Sequence, residues 1–77
     1  MSVSCEQATQ IARGHFDMTG EGAEELRVAT EVDRRSNGEF CWLVTITARY
    51  GGKWSFERLW VEQERGSVVG HEGPGCL

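Results

Sequence analysis

The candidate metal ligands in this sequence are His15, Asp17, and His71 with its neighbour Glu72. Imidazole and carboxylate groups are common ligands of divalent cations, and a site needs three or four of them at one point. The two histidines stand far apart in the chain, and no spacing typical of a metal-binding motif joins them. The sequence therefore predicts surface or structural roles for these residues, with no metal ion and no cofactor.

The three cysteines, Cys5, Cys41 and Cys76, are the other groups that could do chemistry. Their odd number and wide spacing do not form a disulfide framework, and no C-x-x-C pair indicates a zinc site. A nucleophilic Cys5 or Cys76 would need His15 or His71 as a base, and nothing supplies a third group to orient that base. We expect three reduced thiols in a reducing cytoplasm, with Cys5 and Cys41 packed as small apolar residues.

The sequence contains neither a glycine-rich phosphate-binding loop nor a pair of carboxylates typical of acid–base catalysis. Gly20 and Gly22 fit neither the dinucleotide-binding pattern nor the P-loop pattern. Glu24 and Glu25 follow a loop and are typical of the solvated start of a strand, not of an acid–base pair. We therefore predict that the protein is not an enzyme.

Size and charge narrow the remaining classes of function. A chain of 77 residues forms one domain, 1–77, with a small core. The chain has twelve acidic residues and eight basic ones. This balance disfavours binding to nucleic acid, because binding to phosphate groups needs clustered positive charge. It favours a partner protein with a basic surface. We find neither an apolar run of about 20 residues nor a basic start with an apolar stretch, and we expect a cytoplasmic protein with no membrane contact.

The elements that must position these residues follow from hydrophobic spacing. Ser4 and Gln7 form a capping box, and apolar residues then recur at three- and four-residue spacing, which predicts a helix over about 5–17. Beyond it the period changes to two, which is typical of half-buried strands. We predict strands at about 25–34, 39–50, 53–63 and 67–70, and a loose tail over 71–77. The fold class is α+β, with one helix packed on a three- to four-stranded antiparallel meander.

The pairing register decides which side chains form the core. A three-residue turn that includes Gly38 sets Val32 opposite Trp42 and keeps charge off the apolar face. The same turn length over residues 50–52 sets Trp42 opposite Trp60. The core predicted beneath the helix comprises Val28, Trp42, Val44, Ile46, Phe56 and Trp60.

The same register predicts an apolar patch on the sheet face turned away from the helix. In this patch Cys41 lies opposite Val61, and Leu43 lies opposite Leu59. Its polar rim comprises Glu31, Asp33, Thr45 and Glu57. One helix covers only one face, and a contiguous apolar patch with a polar rim is typical of an interface. The alternative is a solvated face with exposed aliphatic side chains.

The end of the predicted meander resembles known families. The segment 60–62 reads Trp-Val-Glu and is followed by Gly-Ser-Val-Val-Gly over 66–70. This is similar to the closing strand–turn–strand, with its glycine at the turn, of small PepSY-type and cystatin-like units. The resemblance covers residues 5–70 as topology and implies a non-catalytic unit that binds or inhibits other proteins. The Q-x-V-x-G loop of the cystatins is absent, so the resemblance does not extend to protease inhibition.

These observations together favour a small non-catalytic protein-binding module, an inhibitor or regulator. Arginine supplies seven of the eight basic residues, which is typical of a GC-rich genome and suggests a bacterium or phage. The docking residues are predicted in the apolar patch with its rim and in the acidic loop that carries Glu21, Glu24 and Glu25. One alternative is an accessory subunit that homodimerises through its outer sheet face. The third interpretation is single-stranded nucleic-acid binding by exposed aromatic residues.

Overall fold

The computed structural model describes residues 2–34 and 38–77. In these residues one helix, α1 (Cys5–Arg13), precedes a four-stranded sheet. The strands are β1 (Glu25–Arg34), β2 (Phe40–Tyr50), β3 (Lys53–Glu62) and β4 (Val68–Cys76). Each strand pairs antiparallel with its neighbour along the chain, in the order β1-β2-β3-β4. The predicted α+β class, one helix on an antiparallel meander, is confirmed.

Helix α1 begins at the predicted capping box and ends earlier than predicted. The Gln7 N–H donates to Ser4 Oγ, and the Ser4 N–H donates to the Gln7 side chain. The helix ends at Arg13, before Gly14, instead of continuing to residue 17. Glycine is unfavourable in a helix interior, so its position marks the end. Ala8 and Ala12 are fully buried and carry α1 onto the sheet.

The predicted register between β1 and β2 is confirmed. Val32 pairs with Trp42, and Val28 pairs with Ile46. Gly38 has a φ of 88°, the left-handed conformation that the predicted turn requires. The rest of the predicted turn, residues 36 and 37, lies outside the described residues.

The predicted register between β2 and β3 is wrong by one residue. Tyr50 pairs with Lys53, so the turn contains only Gly51 and Gly52, and both have positive φ values of 57° and 79°. Two residues with positive φ form a type I′ turn, whose twist matches that of the flanking strands. The shift sets Trp42 opposite Val61 and turns every side chain of β3 to the other face.

This shift rebuilds the core beneath α1. Leu59 and Val61 pack there with Val44 and the two helical alanines, whereas they are predicted on the opposite face. Trp60 and Phe56, predicted in this core, lie on the side away from α1. Trp42 remains on the helix side, half-buried, and its Nε1–H donates to the Val3 carbonyl at 2.8 Å.

The C-terminal residues form strand β4, whereas the sequence predicts a short strand and a loose tail over 71–77. Val68 pairs with Val61 and Cys76 pairs with Ser55, with two register shifts between them. The sequence of β4 is rich in glycine and lacks the alternation of apolar residues that predicts a strand. Strand β3 supplies the hydrogen-bonding partners that this segment needs.

Candidate functional site

The face of the sheet turned away from α1, called the outer face here, has no helix over it. Antiparallel partners place their side chains on the same face, so the register assigns each residue to one side. On β1 the outer face carries Glu25, Arg27, Ala29, Glu31 and Asp33. On β2 it carries Cys41, Leu43, Thr45, Thr47 and Arg49. On β3 it carries Trp54, Phe56, Arg58, Trp60 and Glu62, and β4 adds Gly70, Glu72 and Gly75.

Aromatic and arginine side chains are interleaved on the outer face. The guanidinium carbons of Arg27 and Arg49 lie 5.2 Å and 5.8 Å from the centroid of the Trp54 ring. That of Arg58 lies 4.5 Å from the Phe56 ring. At these distances the guanidinium groups form cation–π contacts that hold the Trp54 and Phe56 rings in position. Both rings are half-buried.

Each of these arginines also has a carboxylate beside it. Arg27 lies 2.5 Å from a Glu25 oxygen, and Arg58 lies 2.7 Å from Glu72. Arg49 Nε lies 3.7 Å from Glu24 and makes no hydrogen bond. The positive charges of the outer face are therefore balanced locally and do not form a basic stripe.

At the opposite end of the outer face, Trp60 crosses the sheet. Its indole Nε1–H donates to Asp33 Oδ2 at 2.8 Å, although Trp60 belongs to β3 and Asp33 to β1. Trp60 pairs with Leu43 and Asp33 pairs with Cys41, so the ring passes over β2 at these two positions. This explains why the Cys41 side chain is fully buried on a face that has no helix over it.

The predicted docking residues divide between the two faces. Cys41, Leu43, Glu31 and Asp33 lie on the outer face as predicted. The other predicted members of the patch, Leu59, Val61 and Glu57, lie on the helix side because of the two-residue turn. The outer face therefore has aromatic residues of β3 where the sequence predicts aliphatic ones.

The acidic loop is partly engaged in contacts of its own. Glu24 Oε1 accepts a hydrogen bond from the Gly52 N–H at 2.9 Å and so ties the start of β1 to the β2–β3 turn. Glu25 pairs with Arg27, and Glu21 is exposed. The Glu21 N–H donates to Thr19 Oγ1, and the Glu21 carboxylate forms no hydrogen bond or ion pair with residues 2–34 or 38–77.

On the helix side, Glu57 is a fully buried carboxylate, whereas the sequence predicts it on the opposite face at the rim of the apolar patch. Its Oε2 accepts from the Asp17 N–H at 2.9 Å, and its Oε1 accepts from the Met18 N–H at 2.9 Å. His71 Nε2 lies 2.5 Å from Oε2, and it donates because an ionised carboxylate can only accept. Glu57 thereby joins the segment after α1 to β3 and β4.

These contacts fix the charge state of Glu57. Burial by itself raises the pKa of a carboxyl group. Here the hydrogen bonds from the Asp17 and Met18 backbone, together with His71, outweigh that effect and hold the pKa of Glu57 below its ordinary value. Glu57 is therefore ionised at neutral pH, and its role in the fold is structural.

Ligand atoms of Asp17, Glu57 and His71 lie within 4.8 Å of one another, the one such group of His, Cys, Asp or Glu in residues 2–34 and 38–77. Two of the predicted candidates, Asp17 and His71, thus come together, whereas Glu72 lies on the outer face beside Arg58. Two ligands of a tetrahedral zinc ion lie about 3.3 Å apart. His71 Nε2 and Glu57 Oε2 are closer than this and bond to each other, so the arrangement fits a hydrogen-bonded cluster.

A signal for the outer face is present in the sequence. The residues Trp54, Phe56 and Trp60 alternate with Ser55, Glu57, Leu59 and Val61, so both faces of β3 carry apolar residues. The glycine pair of the β2–β3 turn distinguishes between the two, because Gly-Gly is typical of a two-residue type I′ turn. For the Glu57 cluster no local signal exists, since the partners of Glu57 stand 14 to 40 positions from it in the chain.

Comparisons with protein-family models, with curated proteins and with solved structures give no match to this chain. Within residues 2–34 and 38–77, no helix has the length and apolar character needed to cross a membrane.

Proposed function

We propose that this protein is a small non-catalytic protein-binding module that docks on its partner through the outer face. The observation that carries the proposal is a sheet face, uncovered by α1, with three half-buried aromatic rings, two of which are in cation–π contact with arginines. Tryptophan and arginine are the residue types most enriched among those that dominate binding energy at protein interfaces. Rings held in place by neighbouring arginines lose little conformational entropy when a partner binds.

The chemistry of this face favours a protein over a nucleic acid. Phosphate backbones bind to clustered positive charge. Here Arg27 and Arg58 each contact a carboxylate of the same chain, and the chain has a net charge of −4. A protein surface offers backbone carbonyls, carboxylates and apolar side chains that match both the guanidinium groups and the rings.

The acidic end of the outer face adds direction to the docking. Glu31 and Asp33 lie there on β1, and Glu62 lies there on β3. A basic region on the partner would be attracted to this end and would fix the orientation of the complex. A module that acts in this way regulates or inhibits its partner by covering a surface, which fits a cytoplasmic protein of a bacterium or phage.

The aromatic rings also support a second candidate function, the binding of single-stranded nucleic acid. Trp54, flanked by Arg27 and Arg49, is the arrangement on which an unpaired base could stack. The two functions differ in what they need from the arginines. Stacking of a base with its phosphate requires net positive charge near the ring, whereas protein docking tolerates neutralised arginines.

A matched pair of variants tests the proposal. Leu43→Arg places a charge on the outer face, and Val32→Arg places the same charge on an exposed position of the opposite face. The immobilised wild-type protein is incubated with host lysate, and the proteins captured by it and by both variants are compared. We expect one defined protein, or the chain itself, to be captured by the wild type and by Val32→Arg and lost with Leu43→Arg. Equal capture by both folded variants would contradict the proposal.

A titration with a single-stranded oligonucleotide, followed by tryptophan fluorescence, separates the two functions. We expect no saturable change in fluorescence at moderate salt, because the face has no net positive charge. Saturable quenching that disappears in a Trp54→Ala variant would favour base stacking instead.

A further inference from the structure

Two of the three aromatic rings on the outer face have the same kind of surroundings. Each of these rings is in cation–π contact with arginine, and each arginine also lies beside a carboxylate of the chain. The rings are Trp54 and Phe56, the arginines are Arg27, Arg49 and Arg58, and the carboxylates are Glu24, Glu25 and Glu72. The face thus repeats one arrangement, in which a guanidinium group lies against a ring and next to a carboxylate.

The third ring, that of Trp60, is bordered by carboxylates. Trp60 and Glu31 both pair with Leu43 of β2, so they lie in one row across the sheet. Asp33 and Glu62 lie in the next row, and the ring reaches toward that row because its Nε1–H donates to Asp33. Glu31 therefore lies on one side of the ring and Glu62 on the other. Within residues 2–34 and 38–77, no arginine or lysine is in cation–π contact with Trp60.

The negative charge beside Trp60 is not balanced by the part of the chain that the structure describes. The carboxylates of Glu31 and Glu62 form no hydrogen bond or ion pair with residues 2–34 or 38–77. The nearby arginines belong to the opposite face. Arg34 lies over the Phe40 ring on the helix side, and Arg65 lines a groove beside the start of α1. This end of the outer face therefore differs from the other end, where each arginine has a carboxylate beside it.

We infer that the partner protein supplies an arginine to this end of the outer face, and that its guanidinium group stacks on Trp60 between Glu31 and Glu62. This inference rests on the proposed function, since it names the chemistry of the partner at the same face. Charge complementarity favours a basic residue here, because the two glutamates have no cation beside them. Arginine fits better than lysine, since its planar guanidinium group stacks on a ring and also donates to carboxylates at its edge.

The chain itself shows that both contacts form together on this face. The guanidinium carbon of Arg58 lies 4.5 Å from the centroid of the Phe56 ring, and its Nη1 lies 2.7 Å from Glu72. An arginine on Trp60 has the same two kinds of neighbour. The hydrogen bond to Asp33 already holds the Trp60 ring, so little conformational entropy is lost when the partner binds.

A neutral isostere of arginine tests the inference on the isolated protein. Acetyl-arginine amide, acetyl-lysine amide and acetyl-citrulline amide are titrated separately while heteronuclear NMR follows the three indole N–H signals. Variants Trp54→Phe and Trp60→Phe assign two of these signals. We expect a saturable shift of the Trp60 signal with arginine, a weaker response to lysine and none to citrulline, which lacks the charge. The Trp54 signal is the internal control and should move less, because two arginines already lie against that ring.

Matched variants test the two carboxylates. Glu31→Gln and Glu62→Gln each remove one charge beside Trp60, whereas Glu21→Gln removes one from the exposed loop before β1, at the opposite end of that strand. We expect each of the first two variants to weaken binding of acetyl-arginine amide about threefold, and Glu21→Gln to leave it unchanged. Arg35 lies outside the described residues, so Arg35→Ala is measured as well. Arginine binding that appears only in Arg35→Ala would show that the chain supplies the guanidinium group itself, and the inference would be wrong.

The remaining outcomes separate this inference from the proposed function. Citrulline or lysine responses as strong as that of arginine, or no response of Trp60 to arginine, would overturn the inference. If they occur while Leu43→Arg still abolishes capture of another protein, the proposed function stands and only the chemistry of the partner is wrong. Where a partner is captured, acetyl-arginine amide should displace it and acetyl-citrulline amide should not. An arginine response with equal capture by Leu43→Arg and Val32→Arg would contradict docking through this face.

Discussion

The indole N–H of Trp60 donates to the carboxylate of Asp33 at 2.8 Å and links β3 to β1 across the strand between them. The two residues are 27 positions apart and meet only because the meander places them two strands apart in one sheet. Beneath the ring, the Cys41 side chain is fully buried. On a face without a helix, one aromatic side chain thus covers part of the sheet.

This arrangement predicts the reactivity of the three thiols. Cys5 and Cys76 are exposed and Cys41 is buried. A maleimide should therefore label two thiols of the native protein rapidly, and the third only when the protein unfolds. In a Trp60→Ala variant we expect fast labelling of Cys41 as well, counted by mass spectrometry. Trp54→Ala is the control, because that ring lies at the other end of the face, and it should leave Cys41 protected. Protection of Cys41 in Trp60→Ala would show that another group covers the thiol.

A second prediction concerns the buried carboxylate of Glu57. Replacement by alanine leaves the N–H groups of Asp17 and Met18 without their acceptor, and a buried donor without a partner is costly. We expect Glu57→Ala to lower the free energy of unfolding by about 2–4 kcal/mol, measured by urea denaturation. Glu64→Ala removes an exposed carboxylate and should change it by less than about 0.5 kcal/mol. Equal effects of the two variants would mean that the Glu57 contacts do not stabilise the fold.

The two hairpins differ in how well the sequence predicts them. In β1 and β2 the apolar alternation of one strand matches only one face of the other, so the pairing of Val32 with Trp42 follows from it. In β3 both faces carry apolar residues. The larger aromatic side chains favour their own face as the core, and this prediction is wrong. The turn residues Gly51 and Gly52 are the better guide, since both adopt positive φ in a two-residue turn.

The candidate sites are harder to predict from the sequence than the strands. The outer face depends on this one register, so a shift by a single residue exchanges Leu59 and Val61 for Phe56 and Trp60. The Glu57 cluster depends on contacts between three elements, and no local pattern encodes them. Local sequence thus predicts the helix and the first three strands, whereas the sites depend on how distant segments meet.

The glycines near β4 give a third prediction. Gly73 has a φ of 91°, and a Cβ added there would lie 2.7 Å from the Phe56 carbonyl oxygen, an atom of the backbone that cannot turn away. Gly22 has a similar φ of 79°, but a Cβ there meets nothing within 4 Å. Alanine at position 22 should therefore cost about 1 kcal/mol from the backbone conformation alone.

We expect alanine at position 73 to cost clearly more, about 3 kcal/mol, because the clash adds to the same conformational strain. Thermal unfolding of the two variants under identical conditions measures the difference. A Gly73→Ala variant no less stable than Gly22→Ala would mean that β4 shifts away from β3 without cost.

The pH dependence of stability gives the last prediction, and its sign follows from Glu57. Its pKa is lowered in the folded protein from the ordinary value of 4.5, so the unfolded chain binds the proton more tightly. The stabilisation by ionised Glu57 is therefore complete above about pH 4.5 and is lost as the pH falls through the lower pKa of the folded state. We expect the free energy of unfolding to fall across this range, with a contribution from Glu57 of at most about 1.4 kcal/mol per pH unit.

Glu57→Gln, which keeps one acceptor oxygen and does not titrate, should have a shallower slope below pH 4.5, whereas Glu64→Gln should keep the wild-type slope. Urea denaturation of the three proteins at several pH values measures the slopes, and equal slopes for the wild type and Glu57→Gln would contradict the assignment of this acid sensitivity to Glu57.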